Sequence, residues 1–302
     1  MGLRPLGNRA NPVNSAHLTF PVVLALTAAV SWYGDARAAC PSHERINTIL
    51  RFLESREPLR GLRADLSMQD AECGRRRLVE KLESTENRIV GYKAALTNAN
   101  IQARFGVTSP VRGVLLAKML LADGAEVPAN YGARPAFEAD LLVEVTGEPL
   151  PGARTPAGVL RTITRVMPFI ELPDLGVAEG EKLTAPLLTF LNAGARLGVV
   201  GKPIRVAATP AFADALANMR VVVTDQHGKE LARGRGSAIL GHPLNAVMWL
   251  HEDLARGRVR LKPGDVLSLG SFTPPLKPKA GMTVTVRYEG LPGNPAVTVR
   301  FR

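Results

Sequence analysis

Apolar residues recur at helical spacing in two segments near the amino terminus of the chain. In residues 44–56 they stand three or four positions apart, as Ile46 and Ile49 do, and residues 69–83 show the same period. A proline and a glycine interrupt the pattern between the two segments. The pattern therefore predicts a small helical region over residues 40–88.

The pattern changes after residue 88, where short apolar runs alternate with glycine, proline and asparagine. Such runs are typical of strands joined by turns, and the predicted strands cover residues 89–92, 113–116, 141–145, 219–224, 266–269, 283–288 and 296–301. Helical spacing returns in residues 210–217 and 243–256. The sequence therefore predicts an α+β protein whose β-rich body covers residues 89–302.

The amino terminus has a different character. Arg4 and Arg9 precede an apolar run over residues 18–32, and small residues follow it up to Ala39. This order is typical of a cleaved secretory signal, predicted here over residues 1–39. The run is shorter than the roughly 20 residues of a membrane-spanning helix, so no stable membrane anchor is predicted, and an uncleaved anchor is the alternative. The mature protein is expected in the periplasm or outside the cell.

Export changes the interpretation of the cysteines. The chain has two, Cys40 and Cys73, and both lie after the predicted signal. A pair of cysteines in an oxidising compartment favours a disulfide, and two free thiols are the alternative. No histidine stands at a suitable spacing from either cysteine, so a zinc site is disfavoured.

The net charge of the chain does not by itself identify a class of binding partner. The formal net charge is +11, which attracts anions in general. Lysine and arginine occur in short clusters, without a long basic run or an aromatic stacking pattern, so no nucleic-acid binding is predicted. Phosphate loops and a Gly-x-Ser-x-Gly elbow are absent from the sequence. The sequence leaves homo-oligomerisation open.

Candidate chemistry begins with carboxylates. Residues 134–145 largely alternate polar with apolar side chains, so a strand there places Glu138 and Asp140 on one face. Glu171 stands in an apolar run, where a carboxylate needs a partner. That partner is either a divalent cation, since oxygen ligands suit Mg²⁺ and Mn²⁺, or a basic residue in a salt bridge. An exposed strand face gives the same alternation.

Two further groups are open to a functional and a structural interpretation. Lys93 ends an apolar run, either as an edge lysine with a buried stem or as a cation beside a substrate carboxylate. Ser271 and Thr273 follow a predicted strand in Gly-Ser-Phe-Thr-Pro-Pro. Their hydroxyls either stabilise an ordinary turn or hold an anionic oxygen.

Seven segments of the chain occur together in the order seen in one family. They cover residues 91–98 (beginning Gly-Tyr-Lys), 113–116, 135–140, 169–174, 192–194, 240–250 and 264–274. In these segments the chain resembles the 2-keto-4-pentenoate hydratase / 2-oxo-acid decarboxylase branch of the fumarylacetoacetate hydrolase superfamily. The resemblance covers roughly residues 89–301.

The resemblance implies a mixed β-roll fold and a site for Mg²⁺ or Mn²⁺. Carried onto this sequence, the implied metal ligands are Glu138, Asp140 and Glu171, the catalytic residue is Lys93, and the substrate-binding residues are Ser271, Thr273 and Asn192. The implied substrate is a small 2-oxo acid that chelates the metal. The reaction is then the addition of water to a dienolate or its formation by loss of carbon dioxide.

The sequence departs from the family pattern at three places. The usual second ligand is a glutamate, and Asp140 is one methylene shorter. Members that hydrate often carry an acidic residue where Val111 stands, although the adjacent Arg112 is expected to bind an acidic substrate. Leu191 replaces an aspartate that commonly precedes the family asparagine.

The expected function is that of an exported, metal-dependent lyase acting on a 2-oxo or 2-hydroxydienoic acid. Two alternatives remain. A carbon–carbon bond hydrolase of the same superfamily needs a water-activating His/Glu pair near the amino terminus, where His43 is the one histidine after the signal. A periplasmic organic-acid binding protein keeps the fold and lacks turnover.

Overall fold

The computed structural model describes residues 40–61, 66–147 and 155–302. The predicted signal over residues 1–39 lies outside these ranges. Among the helices of the described residues, none is long and apolar enough to cross a membrane.

The helices form where the sequence predicts them, with short additional ones. In the described residues the α-helices are α1 (His43–Ser55), α2 (Met68–Leu82), α3 (Ala99–Phe105), α4 (Pro156–Leu160), α5 (Ala185–Phe190), α6 (Pro210–Asn218) and α7 (Pro243–Arg256). The hydroxyl of Ser42 caps α1 by accepting the N–H of Arg45 at 3.3 Å. The helix ends where Arg56 takes a left-handed φ of 61°.

The strands form two sheets. They are β1 (Ile89–Ala95), β2 (Val111–Leu116), β3 (Leu120–Ala122), β4 (Glu126–Val127), β5 (Glu138–Val145), β6 (Ile163–Leu172), β7 (Leu197–Val200), β8 (Ile204–Arg205), β9 (Arg220–Asp225), β10 (Glu230–Arg235), β11 (Val266–Ser268), β12 (Thr283–Glu289) and β13 (Ala296–Phe301). The larger sheet has the order β2-β1-β11-β5-β6-β7-β3, with β8 beside β6, and the smaller has the order β10-β9-β12-β13-β4. The predicted α+β class is confirmed.

The larger sheet curls until its two ends meet. Its outermost strands, β2 and β3, are joined by the single 3₁₀ turn Ala117–Met119. One apolar cluster contains side chains from strands far apart in the sheet order, namely Leu115, Leu142, Met167 and Phe169. On the same face, Lys93 of β1 and Glu171 of β6 form an ion pair across the two intervening strands, so this face is the inside of the curl, and we call it the inner face. The other surface is the outer face.

The helical region packs against the β-rich body. Ile46 and Ile49 of α1, Leu78 of α2 and Phe190 of α5 share one buried apolar cluster. A disulfide joins Cys40, just before α1, to Cys73 within α2, with 5.4 Å between their Cα atoms. Residues 38–302 form one compact unit, so the predicted boundary at residue 88 separates helices from strands and does not separate two folding units.

Candidate active site

Three carboxylates share the inner face of the larger sheet. Glu138 on β5 lies directly opposite Glu171 on the antiparallel strand β6. Asp140 follows Glu138 by two residues and therefore projects from the same face. Asp140 and Glu171 are 0% and 4% exposed. The face predicted from the polar–apolar alternation thus exists, with Asp140 buried and Glu138 partly exposed.

Lys93 lies across from these carboxylates. Its Nζ donates hydrogen bonds to Oε1 of Glu171 and, at 3.0 Å, to the carbonyl of Ala193. Gly113 faces Lys93 on the neighbouring strand β2. A Cβ at Gly113 would lie 2.8 Å from Cγ of Lys93 and 2.7 Å from the carbonyl oxygen of Asn192. The absence of a side chain there makes room for the lysine stem.

Asp140 is held by donors from three places. Its Oδ1 accepts the N–H groups of Leu141 and, at 3.0 Å, of Gly270, and its Oδ2 accepts the hydroxyl of Ser268. Ser268 is fully buried on β11 and faces Lys93 in the parallel pairing of β1 with β11. Each carboxylate oxygen has two lone pairs, so Oδ2 keeps one free while it accepts the serine hydroxyl.

The turn after β11 places two hydroxyls beside these residues. Ser271 donates to the carbonyl of Thr273 at 2.6 Å and accepts the N–H of Thr273 at 3.2 Å, and its hydroxyl acts to lower the pKa of the neighbouring Glu138. Oγ1 of Thr273 accepts the N–H of Ala139 at 3.3 Å. The turn thus lies along β5 at the level of the carboxylates, and the substrate-binding role of Ser271 and Thr273 stays a prediction.

Burial raises the pKa of two carboxyl groups in this cluster. For Glu138 the pKa is raised to about 8 by desolvation first and by the nearby charge of Glu171 second, while Lys93 opposes the shift. For Asp140 desolvation and Glu171 raise the pKa to about 7, against the hydrogen bond from Ser268. The site therefore has three carboxyl groups and one ammonium, so its positive charge is too small to balance three ionised carboxylates.

A divalent cation fits this donor set. The oxygens belong to carboxylates, which are ligands of hard cations, and a cation would supply the missing positive charge. As the side chains stand in the described residues, no group of three or more His, Cys, Asp or Glu is placed to hold a metal ion. The residues that fit as ligands are Glu138, Asp140 through Oδ2, and Glu171, of which Oε1 is shared with Lys93.

The structure corrects the expectation for Arg112. On β2, Arg112 faces Ala94 while Gly113 faces Lys93, so Arg112 projects from the outer face. There its guanidinium binds Asp253 of α7 at 2.6 Å. The side chain cannot reach a substrate on the inner face, because neighbouring residues of a strand point to opposite sides.

Asn192 also has a different task from the expected one. Its Oδ1 accepts the N–H of Val114 at 2.8 Å, and its Nδ2 donates to the carbonyl of Val114 at 2.9 Å. Both ends of the amide are thus bound to β2, and substrate binding by this side chain is not what the structure supports. Asn192 instead fixes the 3₁₀ turn Asn192–Gly194, whose Ala193 carbonyl accepts a hydrogen bond from Lys93.

Three residues of the site escape sequence reasoning. Ser268 is the polar residue at the end of a short apolar strand, and that position was the sequence feature that could have identified it. Tyr288 places its hydroxyl on the backbone of β5 and β6, and Tyr131 places its own on the residues just before β5 and just after β6. A tyrosine in an apolar run is predicted to be a core residue, and only the tertiary structure shows which group its hydroxyl contacts.

Comparisons with known proteins point the same way as this geometry. No protein-family profile matches the chain. It is 33% identical over 207 residues to 2-keto-4-pentenoate hydratase 1 of Dechloromonas aromatica (strain RCB), covering 68% of this chain and 75% of that protein. It is 29% identical over 240 residues to 4-oxalocrotonate decarboxylase of Pseudomonas putida, covering 78% and 86%.

A solved structure resembles the whole fold. It is 4-oxalocrotonate decarboxylase from Pseudomonas putida G7 complexed with magnesium and adipate, with a TM-score of 0.75 and 25% sequence identity. The match covers 87% of this chain and 99% of that one. That relative therefore carries a divalent cation and a dicarboxylate on the same arrangement of strands and helices.

Proposed function

Because the chain belongs to the 2-keto-4-pentenoate hydratase / 2-oxo-acid decarboxylase branch of the fumarylacetoacetate hydrolase superfamily, we propose that it is an exported, divalent-metal-dependent lyase. Its substrate is a small 2-oxo or 2-hydroxydienoic acid, and its reaction is of hydratase or decarboxylase type. The observation that carries this proposal is the group of Glu138, Asp140 and Glu171, of which the last two are buried, with Lys93 bound to Glu171.

The carboxylates would hold Mg²⁺ or Mn²⁺. When bound, the metal supplies electrophilic stabilisation for negative charge on the keto oxygen of a 2-oxo acid. Asp140 is oriented for this by its own hydrogen bonds, since the N–H groups of Leu141 and Gly270 keep Oδ1 in place and leave Oδ2 toward Ser268. Such support fixes the direction of a ligating carboxylate.

Lys93 would act on the substrate itself. An ammonium has three N–H donors, and two of them bind Glu171 and Ala193. The third can donate to an oxygen of the substrate or transfer its proton to the carbon skeleton. Because Lys93 is 3% exposed, its charge acts with little screening by water, which strengthens its effect on a developing enolate.

Turnover tests the proposal directly. The purified chain with Mg²⁺ is mixed with 2-hydroxypenta-2,4-dienoate, and the loss of the ultraviolet absorbance of the diene is followed. A parallel reaction with 4-oxalocrotonate measures release of carbon dioxide, which separates hydratase from decarboxylase. EDTA should abolish whichever reaction occurs. No turnover of either acid with Mg²⁺ or Mn²⁺, together with retained binding of oxalate, would instead favour a binding protein.

Export is a separate part of the proposal. It is supported by the basic, apolar and small-residue order of residues 1–39 and by the disulfide between Cys40 and Cys73, because disulfides persist in oxidising compartments. Mass spectrometry of the protein from the periplasmic fraction should find an amino terminus at residue 39 or 40. An intact Met1 in the cytoplasmic fraction would contradict export and leave the enzymatic proposal untouched.

A further inference from the structure

Two buried tyrosine hydroxyls lie on the backbone of the strands that carry Glu138 and Glu171. The hydroxyl of Tyr131 contacts the carbonyl of Ala136 and, at 3.0 Å, the carbonyl of Pro173. Ala136 and Pro173 are themselves paired, because the N–H of Ala136 donates to the Pro173 carbonyl at 3.0 Å. Tyr131 therefore bridges the two strands just outside the glutamate pair.

Tyr288 makes the corresponding contact on the other side. Its hydroxyl donates toward the carbonyls of Asp140 and, at 2.9 Å, of Phe169, and it accepts the N–H of Phe169 at 3.2 Å. Asp140 and Phe169 are directly opposite each other in the pairing of β5 with β6.

The register makes this arrangement symmetric. Along β5, Ala136 precedes Glu138 by two residues, and Asp140 follows it by two. The partners on the other strand are Pro173, Glu171 and Phe169 in the same steps. The glutamate pair thus lies between two phenol hydroxyls, each of which contacts both strands.

The two tyrosines come from different parts of the fold. Tyr131 lies in the segment before β5 and is 3% exposed, whereas Tyr288 belongs to β12 of the smaller sheet and is 0% exposed. The ring of Tyr288 also contacts that of Phe272 edge-on, with 6.3 Å between centroids. Phe272 lies between Ser271 and Thr273. Tyr288 therefore contacts both the turn that carries these two hydroxyls and the strands of the glutamate pair.

We propose that Tyr131 and Tyr288 are positioning residues that set the separation of the Glu138 and Glu171 carboxylates and thereby select the cation bound there. The inference rests on the proposed function, since it takes these carboxylates as metal ligands. Each hydroxyl ties two strand backbones together, which resists shear and splaying at that step of the ladder. Both hydroxyls contact backbone atoms, so the tyrosines act on the strands that carry the ligands.

Cation size gives the inference a specific readout. Mg²⁺ demands near-ideal octahedral geometry at short distances, whereas Ca²⁺ accepts irregular coordination by six to eight oxygens at longer distances. A looser ladder should therefore weaken Mg²⁺ binding more than Ca²⁺ binding. A general loss of stability has no reason to discriminate between the two ions.

The experiment measures dissociation constants for Mg²⁺ and Ca²⁺ by titration calorimetry in Tyr131→Phe, Tyr288→Phe and the double variant, at a temperature where circular dichroism shows each folded. Mg²⁺ binding should weaken roughly 10- to 100-fold, as for other residues that orient metal ligands, and the Mg²⁺/Ca²⁺ ratio of Kd values should rise. Tyr92→Phe is the matched control, because its ring lies on the outer face against Arg112 and its removal should leave the ratio unchanged.

Other outcomes overturn the inference. Unchanged Kd values, or equal weakening for both ions, would reduce the tyrosines to a structural role. If Tyr288→Phe does not fold, Tyr131→Phe alone decides the matter by the same ratio. Glu138→Gln and Glu171→Gln separate this inference from the proposed function. If these two variants bind Mg²⁺ like the native chain, the proposed metal site is wrong. If they lose Mg²⁺ binding while the tyrosine variants keep the native Mg²⁺/Ca²⁺ ratio of Kd values, only the positioning role is wrong.

Discussion

Lys93 and Glu171 form an ion pair although two other strands, β11 and β5, lie between their own strands in the sheet order. They are 78 residues apart in sequence. Side chains on such distant strands of a flat sheet would not meet, because neighbouring strands are about 4.8 Å apart. The curl of the sheet brings them together across the inner face. The pair thus depends on the sheet being rolled, and it joins the lysine to the carboxylates that surround it.

Replacement of Glu171 by glutamine should remove the response of the protein to metal. At a concentration of Mg²⁺ about 100 times its Kd, the native chain should gain about 2.7 kcal/mol of stability, a rise in Tm of roughly 5 °C or more. Glu171→Gln should show no such rise, since the amide lacks the charge and the second acceptor oxygen. Glu144→Gln is the control, because that carboxylate pairs with the exposed Arg165. A full Mg²⁺ response in Glu171→Gln would contradict the ligand assignment.

Replacement of Lys93 by methionine should affect both catalysis and stability. The rate should fall about 10²- to 10⁴-fold, as for loss of a positioned proton-transfer group. The free energy of unfolding without metal should fall by about 3–5 kcal/mol, because Glu171 would be left as a buried charge without its partner. Added Mg²⁺ should restore part of that stability by supplying positive charge.

Lys118→Met provides the matched comparison for Lys93→Met. Lys118 forms an ion pair with Glu86 in which its side chain is 63% exposed, so its loss should change neither rate nor unfolding appreciably. Urea unfolding and initial rates measure both variants. A Lys93→Met enzyme with native rate would remove the lysine from the mechanism.

Reduction of the Cys40–Cys73 disulfide should destabilise the amino-terminal helices. The two cysteines are 33 residues apart, and closing a loop of that length contributes roughly 3.7 kcal/mol through the unfolded chain. The Cys40→Ser/Cys73→Ser double variant should match the reduced native protein in urea unfolding. Reducing agent should have no further effect on the double variant, and equal stability of the reduced and oxidised native protein would show that the bond contributes nothing.

His251 should make the protein less stable in mild acid. The side chain is buried on α7, and Nε2 has no hydrogen-bond partner in the described residues. Burial lowers its pKa to about 4. An unfolded chain therefore binds a proton near pH 6.5 while the folded chain does not, so stability falls as the pH drops from 6.5 to 4 and the loss reaches about 3 kcal/mol below that.

A difference between two proteins isolates the histidine from other titrating groups. The carboxyl groups of Glu138 and Asp140 have raised pKa values, which shift stability in the opposite direction over part of the same range. Subtracting the pH profile of His251→Gln from that of the native chain cancels their contribution. His227→Gln, at an exposed hairpin position, should leave the native profile intact, and a flat difference curve for His251→Gln would disprove the prediction.

Local patterns in the sequence were sufficient for the longer helices, for about half of the strands and for part of the site, but the strand β6, which carries Glu171, was not among the predicted strands. Alternation placed Glu138 and Asp140 on one face, and that face is confirmed by the pairing of β5 with β6. The strand predicted over residues 219–224 is likewise found as β9 (Arg220–Asp225). These features depend on neighbours in sequence, which is why periodicity finds them.

Pairing between distant strands was beyond the sequence. The prediction that Arg112 binds substrate was wrong because the sheet face of a residue is known only once its partner on the neighbouring strand is known. In the structure, Gly113 is the residue that faces Lys93. Very short strands such as β4 and β8 carry too few residues for a period and exist only through their partners. The interior of the β-roll is likewise assembled from residues whose proximity no local pattern encodes.

The position of β11 has a consequence for the order of events in synthesis. Residues 266–268 insert between β1 and β5, parallel to the first and antiparallel to the second. A growing chain that has not yet reached residue 266 lacks β11, the strand that lies between β1 and β5. It also lacks Ser268, which donates a hydrogen bond to Asp140. The group of Lys93, Glu138 and Asp140 is therefore completed only after nearly the whole polypeptide has been synthesised.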